Sequence, residues 1–174
     1  MTEIWLLIIQ AFWFIAPAYA ANSFPPLIKG RKPLDNGKKL GKHRLFGDGK
    51  TIEGTIAGVV FGIFIGLIQM YFQPMIPVEF GFIQMTINLI ALLSVGAILG
   101  DIVGSFIKRR FGLKRGQPIF LLDQLNFLIG AFIFSSFVVM INLSWILLLI
   151  IFTPIVHYLA NLIGYELRIK RVPY

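Results

Sequence analysis

Hydrophobic residues in this chain gather into five long stretches that are separated by polar segments. The stretches cover approximately residues 4–24, 52–71, 80–99, 119–139 and 141–162. Each is close to the ~20 residues that a helix needs to cross a hydrocarbon layer of ~30 Å. The pattern predicts an all-α integral membrane protein with five transmembrane helices, in which residues 1–174 form a single membrane domain.

The composition supports a membrane location and excludes several kinds of site. Hydrophobic residues make up 57% of the 174 positions and charged residues only 14%, whereas a soluble domain carries about a quarter charged residues. The chain has no cysteine, which excludes disulfides, thiolate metal sites and cysteine nucleophiles. Ala18-Tyr19-Ala20 resembles a signal-peptidase site, but only Glu3 is charged ahead of it, where a signal peptide carries positive charge. The first stretch is therefore predicted to be a retained helix.

The positive charges lie on one side of the predicted spans. Of the 16 Lys and Arg residues, eight lie in residues 25–51, five in 101–118 and three in the tail 163–174, while the two remaining connections have none. Because loops rich in Lys and Arg stay cytoplasmic, we expect a multi-pass protein of the cell membrane with its N-terminus outside. Both basic loops, the tail and the active site are then cytoplasmic. Attraction of these charges to anionic lipid is an alternative explanation of the basic surface.

The second stretch carries a ladder of glycines at every fourth position, Gly54, Gly58, Gly62 and Gly66. On a helix this ladder forms a smooth face that allows another backbone to approach closely. The face is expected to pack against another helix, in the monomer or in a dimer. A cleft wall along which a lipid chain lies is the alternative, and the two are compatible.

The first basic loop ends in the dense segment Gly47-Asp48-Gly49-Lys50-Thr51. Its glycines allow backbone N–H groups to face an anion, Lys50 adds positive charge, and Thr51 is a good N-cap for the helix that begins there. Helix N-termini favour phosphate. The segment is not a Walker loop, because the glycine spacing differs and no strand precedes it, and Asp48-Gly49 by itself would be an ordinary turn.

The second basic loop is framed by carboxylates. If the third helix continues past Asp101, then Asp101, Ser105 and Lys108 share one helical face, and Asp123 and Asn126 share a face at the start of the fourth helix. Two antiparallel helices would bring Asp101 and Asp123 to similar depth. Mg²⁺ prefers one or two carboxylates and completes its shell with water and substrate phosphates. The alternative is that Asp101 and Asp123 only pair with Lys108, Arg109 or Lys114.

At these residues the sequence resembles the membrane CTP-transferases that make CDP-diacylglycerol. The family pattern Gly-Asp-x-x-x-Ser-x-x-Lys-Arg-x-x-x-x-Lys is present from Gly100 to Lys114, and Asp123-x-x-Asn126 follows where the family has Asp-x-x-Asp. It departs from that family at Arg115, where an acid is expected, at Asn126, where the last carboxylate is expected, and in lacking a His-Gly-Gly run. Together with the segments 17–22 and 47–54, the departures resemble the archaeal branch, the CDP-archaeol synthases.

The resemblance implies a Mg²⁺-dependent nucleotidyltransferase. Such an enzyme transfers CMP from CTP to 2,3-di-O-geranylgeranylglycerol 1-phosphate, releases pyrophosphate and gives CDP-archaeol for archaeal phospholipid synthesis. The partners it implies are CTP, the lipid phosphate and membrane lipids, with no nucleic acid, and a homodimer is left open.

Site residues follow from the resemblance together with the loop analysis. The predicted catalytic residues are Asp101, Asp123 and Lys108, and the predicted metal ligands are Asp101, Asp123 and Asn126. Arg110 is expected to meet the lipid phosphate, and Glu53 to orient Lys50 or a metal-bound water. The predicted substrate-binding residues are Asn22, Lys29, Gly47, Gly49, Lys50, Thr51, Ser105, Arg109, Arg110 and Lys114.

Two other classes of protein were weighed against this prediction. A CDP-alcohol phosphatidyltransferase-like enzyme would carry an Asp-Gly-x-x-Ala-Arg signature, which the sequence lacks. A small polytopic anion transporter would place polar residues along its helix centres, but these segments are nearly all apolar. His157, with Thr153, is the main exception, and we interpret it as a hydrogen-bonded packing residue or interface group.

Overall fold

Five α-helices form most of the chain in the computed structural model, which describes residues 2–28, 30–113, 117, 119 and 121–166. Lys29 and Lys114, both predicted to bind substrate, lie outside the described residues. The helices are α1 (Thr2–Ser23), α2 (Ile52–Phe72), α3 (Ile87–Arg110), α4 (Leu122–Ser135) and α5 (Leu143–Glu166).

The predicted class of structure, a helical membrane protein, is confirmed. Helices α1, α2, α3 and α5 are each long and apolar enough to cross a membrane. Helix α4 has 14 residues, which at ~1.5 Å per residue gives about 21 Å and falls short of the hydrocarbon layer. Four spans are therefore supported by length and composition in the described part of the chain.

Threonine side chains set the start of two of these helices. The Thr51 hydroxyl accepts a hydrogen bond from the Gly54 N–H at 3.1 Å, and the Thr86 hydroxyl accepts one from the Leu89 N–H at 3.3 Å. Each bond satisfies a backbone donor that the first turn of a helix leaves unpaired. The N-cap predicted at Thr51 is thus present.

Helix α3 differs from its predicted bounds at both ends. It begins at Ile87 rather than near residue 80, because Val78–Phe80 forms a 3₁₀ turn closed by Gly81 in the left-handed region, with φ +60°. Residues 101–110, which the charge pattern assigned to a loop, are the last turns of α3. Positive charge at a helix C-terminus is favourable, so the basic cluster is compatible with helix there. Asp101 therefore lies within a helix, as the face that it is predicted to share with Ser105 and Lys108 requires.

The first basic loop contains short elements that the sequence did not predict. A 3₁₀ helix at Pro25–Leu27 follows α1, and β1 (Lys39–Leu40) pairs antiparallel with β2 (His43–Arg44). The hairpin places Lys39 opposite Arg44. The loop is consequently a folded unit in an otherwise helical protein.

The glycine ladder of α2 packs inside the monomer. All four of its glycines are buried, and a Cβ on Gly58 would lie 2.7 Å from the Ala21 carbonyl oxygen of α1. A Cβ on Gly62 would lie 2.6 Å from the Ser94 hydroxyl of α3 and 2.7 Å from the Pro17 carbonyl oxygen of α1. Helices α1 and α3 therefore cover this face, and it is not open to a lipid chain.

Helices α3 and α4 form a close antiparallel pair that positions the carboxylates. A Cβ on Gly96 would lie 2.6 Å from the Gly130 carbonyl oxygen, and a Cβ on Gly100 would collide with the Asn126 carbonyl oxygen. Gly104 faces the Asn126 side chain in the same way. Such small residues let two helix backbones approach closely. The register places Asn126 level with residues 100–104, at the end of the pair where the basic cluster lies.

Candidate active site

The first basic loop is organised by one buried carboxylate. Asp35 is 3% exposed, and its oxygens accept hydrogen bonds from the N–H groups of Gly37, Phe46 and Gly47 at 3.0–3.1 Å. The Arg44 guanidinium donates to both oxygens, at 2.5 and 3.2 Å. This guanidinium, aided by the backbone bonds, holds the pKa of Asp35 well below its usual range. The carboxylate is charged at neutral pH, and it fixes the turn that precedes Lys50.

Backbone pairing joins this loop to the start of α2. The Leu34 N–H donates to the Lys50 carbonyl oxygen at 2.7 Å, and the Ile52 N–H donates to the Lys32 carbonyl oxygen at 2.9 Å. The Glu53 carboxylate accepts from the N–H groups of Arg31 and Lys32 at 3.3 Å. Glu53 thus fixes the backbone at Arg31 and Lys32. These hydrogen bonds account for the position of the Glu53 carboxylate without a contact to Lys50 or to a metal.

Lys50 lies against Asp101. Its ammonium group donates to Asp101 Oδ2, and both side chains are about a quarter exposed. The pair connects the phosphate-binding segment predicted in the first loop with the carboxylate predicted on α3. The two basic segments therefore meet at one place, as the sequence predicted.

Lys108 and Asp123 form a second ion pair, between α3 and α4. Lys108 Nζ lies 2.9 and 2.7 Å from the two Asp123 oxygens, and the Ile119 N–H donates to Asp123 Oδ2 at 3.1 Å. Since Lys108 follows Asp101 by seven residues on α3, both pairs lie along one helical face. Each carboxylate therefore has a lysine partner: Asp123 pairs with Lys108, as the purely structural alternative predicts, whereas Asp101 pairs with Lys50, which that alternative does not include.

Arg109 approaches the glycine segment of the first loop. A Cβ on Gly47, whose φ is +86°, would lie 3.3 Å from Arg109 Nε. The guanidinium also donates to the Leu113 carbonyl oxygen, while its buried Nε has no hydrogen-bond partner among the described residues. Because a buried donor left unpaired is costly, this N–H favours an anion bound next to Gly47.

Arg110 has a different position from the one expected. Its guanidinium donates to the carbonyl oxygens of Leu40 and Arg44 at 2.7 and 2.6 Å, and it lies 5.0 Å from the centre of the Phe106 ring. It fastens the β1–β2 hairpin to the end of α3. A contact between Arg110 and the lipid phosphate therefore has no support from this geometry.

The remaining predicted residues lie around these pairs. Ser105 is half-buried on the face between Asp101 and Lys108, Gly49 is exposed, and Thr51 serves as a helix cap. Asn22 is half-buried at the end of α1, where it lines a pocket that contains no residue of either ion pair.

Asn126 is placed mainly for packing. Its side chain lies against Gly104, and its Oδ1 accepts from the Phe127 N–H at 2.6 Å. Its assignment as a metal ligand stays a prediction.

Asp35 and Arg44 are the residues whose importance sequence reasoning missed. Asp35 belongs to none of the motifs that indicated function in the sequence. The following Asn36-Gly37 is a turn signal, and an acid ahead of such a turn can bind backbone N–H groups, which would have pointed to its structural role.

The comparisons with known proteins decide the family. Residues 4–174 match the family model described as CarS-like, CDP-archaeol synthase. The chain belongs to the CDP-archaeol synthase family. It is 43% identical to the CDP-archaeol synthase of Pyrococcus abyssi, over 96% of this chain and 98% of that relative. It is also 43% identical to the CDP-archaeol synthase of Methanocaldococcus jannaschii, over 95% and 97% of the two chains.

A solved structure supports the same assignment. It is described as an intramembrane enzyme for archaeal membrane lipids biosynthesis, and it is 35% identical to this chain with a TM-score of 0.75. The match covers 88% of this chain and 94% of that one. The predicted resemblance is therefore confirmed, and membership of the CDP-archaeol synthase family is favoured over both rival classes, the phosphatidyltransferase and the transporter.

The donor set of the site fits a hard divalent cation. Asp101 and Asp123 supply carboxylate oxygens from two neighbouring helices, and the described residues hold no group of three or more His, Cys, Asp or Glu side chains that could enclose a metal. Mg²⁺ suits such a set, because it keeps several waters and binds through one or two carboxylates plus substrate phosphates.

Proposed function

We propose that this CDP-archaeol synthase family member transfers CMP from CTP to 2,3-di-O-geranylgeranylglycerol 1-phosphate, releasing pyrophosphate and forming CDP-archaeol, and that it depends on Mg²⁺. The names of its relatives support the reaction class. The observation that carries the site is that the Lys50–Asp101 and Lys108–Asp123 pairs both involve one face of α3 and that the first of them joins the two basic segments.

The proposed reaction does not need a strong general base from the protein. The second pKa of a phosphomonoester is near ~6, so the lipid phosphate is largely dianionic at neutral pH. One of its oxygens forms a bond to the α-phosphorus of CTP, the bond from that phosphorus to the bridging oxygen breaks, and pyrophosphate leaves with the electron pair. Catalysis then consists mainly of holding two polyanions in line and balancing their charge.

The residues divide this work by charge. Asp101 and Asp123 would hold Mg²⁺, which when bound would neutralise phosphate oxygens and help to orient the triphosphate. Lys50 and Lys108 would turn from these carboxylates to the phosphates, and the Arg109 Nε–H beside Gly47 would donate to a phosphate oxygen. The Asp35–Arg44 pair would keep the Gly47–Lys50 backbone in place.

We also propose five membrane crossings with the active site on the cytoplasmic side. Helix α4 packs along α3, from Asn126 beside Gly104 to Phe134 beside Gly96, and its apolar continuation at residues 136–141 would extend it toward the opposite face. The N-terminus is then outside and the C-terminus inside. The distribution of Lys and Arg supports this orientation.

A direct assay tests the function. Purified protein in detergent is incubated with radiolabelled CTP, MgCl₂ and a panel of lipid phosphates with isoprenoid ether or acyl ester chains. The expected result is a labelled CDP-lipid and pyrophosphate in equal amounts, formed best with the ether lipid and lost with EDTA. Absence of any CDP-lipid would contradict the proposed reaction, and full activity in EDTA would contradict only the Mg²⁺ requirement.

A further inference from the structure

A pocket lies between α1, α4 and α5, and no residue of either ion pair lines it. Its volume is about 250 Å³, and apolar side chains form most of its wall. Polar groups project from the last turn of α1 and from the second half of α5. The residues that matter here are Tyr19, Asn22, Phe127, His157, Ala160 and Asn161.

The polar residues of this pocket are unusual for their setting. His157 and Asn161 stand one turn apart on an otherwise apolar helix, with Asn161 Nδ2 3.2 Å from His157 Nδ1. Polar and ionisable groups within membrane helices are costly and usually serve function. One turn earlier, the Thr153 hydroxyl bonds the Tyr19 hydroxyl at 2.7 Å, which ties α5 to α1 and fixes one wall of the pocket.

The pocket also adjoins the proposed active site. Phe127, which lines it, lies on α4 four residues after Asp123, so about one helical turn or ~6 Å of rise separates them. The Phe127 and Tyr19 rings meet edge to face with centroids 5.3 Å apart. A molecule with its phosphate at Lys108, beside Asp123, could therefore extend its adjoining atoms into this pocket.

We propose that the pocket binds the glycerol end of the lipid phosphate, with Asn22, His157 and Asn161 facing its oxygens and the apolar wall contacting the first carbons of its chains. This inference rests on the proposed function. The pocket is smaller than the ~300–1,000 Å³ of sites that enclose a drug-sized ligand, so it suits a glycerol unit rather than two isoprenoid chains. The chains would continue beyond it into the surrounding lipid.

Filling the pocket tests this assignment. Ala160→Phe places a ring in the pocket, and His157→Leu removes a polar group from it. For each variant we expect a rise of about tenfold or more in the KM for 2,3-di-O-geranylgeranylglycerol 1-phosphate, equivalent to losing one good contact. CTP affinity, measured by isothermal titration with MgCl₂, should stay within about twofold. The matched control is Leu159→Phe, because Leu159 is adjacent to Ala160, is 50% exposed and does not line the pocket.

Native mass spectrometry of the protein with the same lipid phosphate gives a readout that does not require turnover. Less bound lipid in Ala160→Phe than in Leu159→Phe would support the pocket, whether or not a CDP-lipid is formed. Absence of CDP-lipid formation would overturn the proposed reaction and would leave the pocket assignment standing. An unchanged KM and unchanged lipid binding in Ala160→Phe would overturn the pocket assignment. A loss of CTP affinity as large as the loss of lipid binding would also overturn the assignment, since the pocket would then bind the nucleotide. If Ala160→Phe does not fold, His157→Leu and Asn22→Leu decide by the same criteria.

Discussion

The ammonium group of Lys50 lies against the carboxylate of Asp101, although 51 residues separate them in the chain. A lysine from the loop before α2 thereby contacts an acid within α3. The Lys108–Asp123 pair repeats this arrangement between α3 and α4. In the proposed reaction, the two lysines exchange their carboxylate partners for triphosphate oxygens, and the two carboxylates exchange their lysine partners for Mg²⁺. Charge balance in the site is then kept both before and after the substrate binds.

The first prediction concerns the carboxylates. Asp101→Asn and Asp123→Asn should each lower the turnover rate by about a thousandfold or more, because losing a Mg²⁺ ligand removes several kcal/mol of transition-state stabilisation. Initial rates of CDP-lipid formation at saturating MgCl₂ measure the effect. Glu79→Gln is the control, since Glu79 is an exposed acid in the connection between α2 and α3. Near-normal turnover in either aspartate variant, with helicity intact by circular dichroism, would exclude the metal assignment.

The helices and the central site residues could be predicted from local pattern. Hydrophobic stretches located all five helices, and helical spacing placed Asp101, Ser105 and Lys108 on one face. These features depend only on residues close together in the chain. The bounds of α3 could not be predicted in this way, because the turn closed by Gly81 and the helical conformation of residues 101–110 depend on surrounding contacts.

Other features depend on contacts between distant segments and could not be predicted in this way. Arg110 was expected to meet lipid phosphate, yet a hairpin lying 66 to 70 residues away in sequence supplies its partners. Asp35 gave no signal of a buried pair with Arg44, since an Asp before Asn-Gly is typical of an exposed turn. The pocket beside His157 likewise requires α1, α4 and α5 to be brought together.

The second prediction concerns CTP binding by the first loop. Lys50→Ala should raise the dissociation constant for CTP by about tenfold to a hundredfold, because a hydrogen bond to a charged group contributes ~1.5–3 kcal/mol. Isothermal titration in the presence of MgCl₂ gives this value. Lys39→Ala is the matched control, because Lys39 is an exposed lysine of the same loop, in β1. Equal binding by the Lys50 variant and the wild type would leave the first loop with a topological role only.

The third prediction concerns the buried acid of the first loop. Asp35→Asn should weaken CTP binding by about tenfold, because the amide cannot accept from Arg44 and the backbone N–H groups as the carboxylate does. The helices should stay intact, since the side-chain hydrogen bonds of Asp35 in the described part of the chain all lie within its own loop. Limited proteolysis should cut the variant faster within residues 33–50. If proteolysis and CTP affinity both match the wild type, Asp35 does not position the Gly47–Lys50 segment.

The same residue gives a fourth prediction, on pH. Its pKa is lowered in the folded protein, so the stability it contributes is fully present above its unfolded value of ~3.9 and is lost as the pH falls through the lower folded value. Proteolysis of the loop in the wild type should therefore be constant between about pH 5 and pH 8 and should rise only below about pH 4. A rise near pH 6 would show that another group controls the order of the loop.

The fifth prediction concerns the close contact of α3 and α4. Gly100→Ala places a methyl group against the Asn126 carbonyl oxygen, and overpacking of this kind costs about 1–3 kcal/mol. We expect a lower Tm in detergent and a loss of turnover larger than the loss of CTP affinity, since the helix spacing sets the distance between Asp101 and Asp123. Val103→Ile also adds one carbon, but at a side chain that is 54% exposed, and it should change neither. Wild-type Tm and activity in Gly100→Ala would mean that the two helices have room to separate.

The final prediction concerns topology, on which access to CTP depends. Thirteen of the 16 Lys and Arg residues lie in two segments, three lie in the tail, and the connections 73–86 and 136–142 have none, so the basic segments are expected on the cytoplasmic face. Single cysteines can be introduced without interference, because the chain has none of its own. Lys39 and Val78, which are both exposed and lie on opposite predicted sides, are suitable positions. An impermeant maleimide applied to intact cells should label Val78→Cys and not Lys39→Cys, whereas both should be labelled after the membrane is permeabilised. Labelling of Lys39→Cys in intact cells would place the first loop outside, and a CTP-dependent enzyme with that orientation would have no access to its nucleotide.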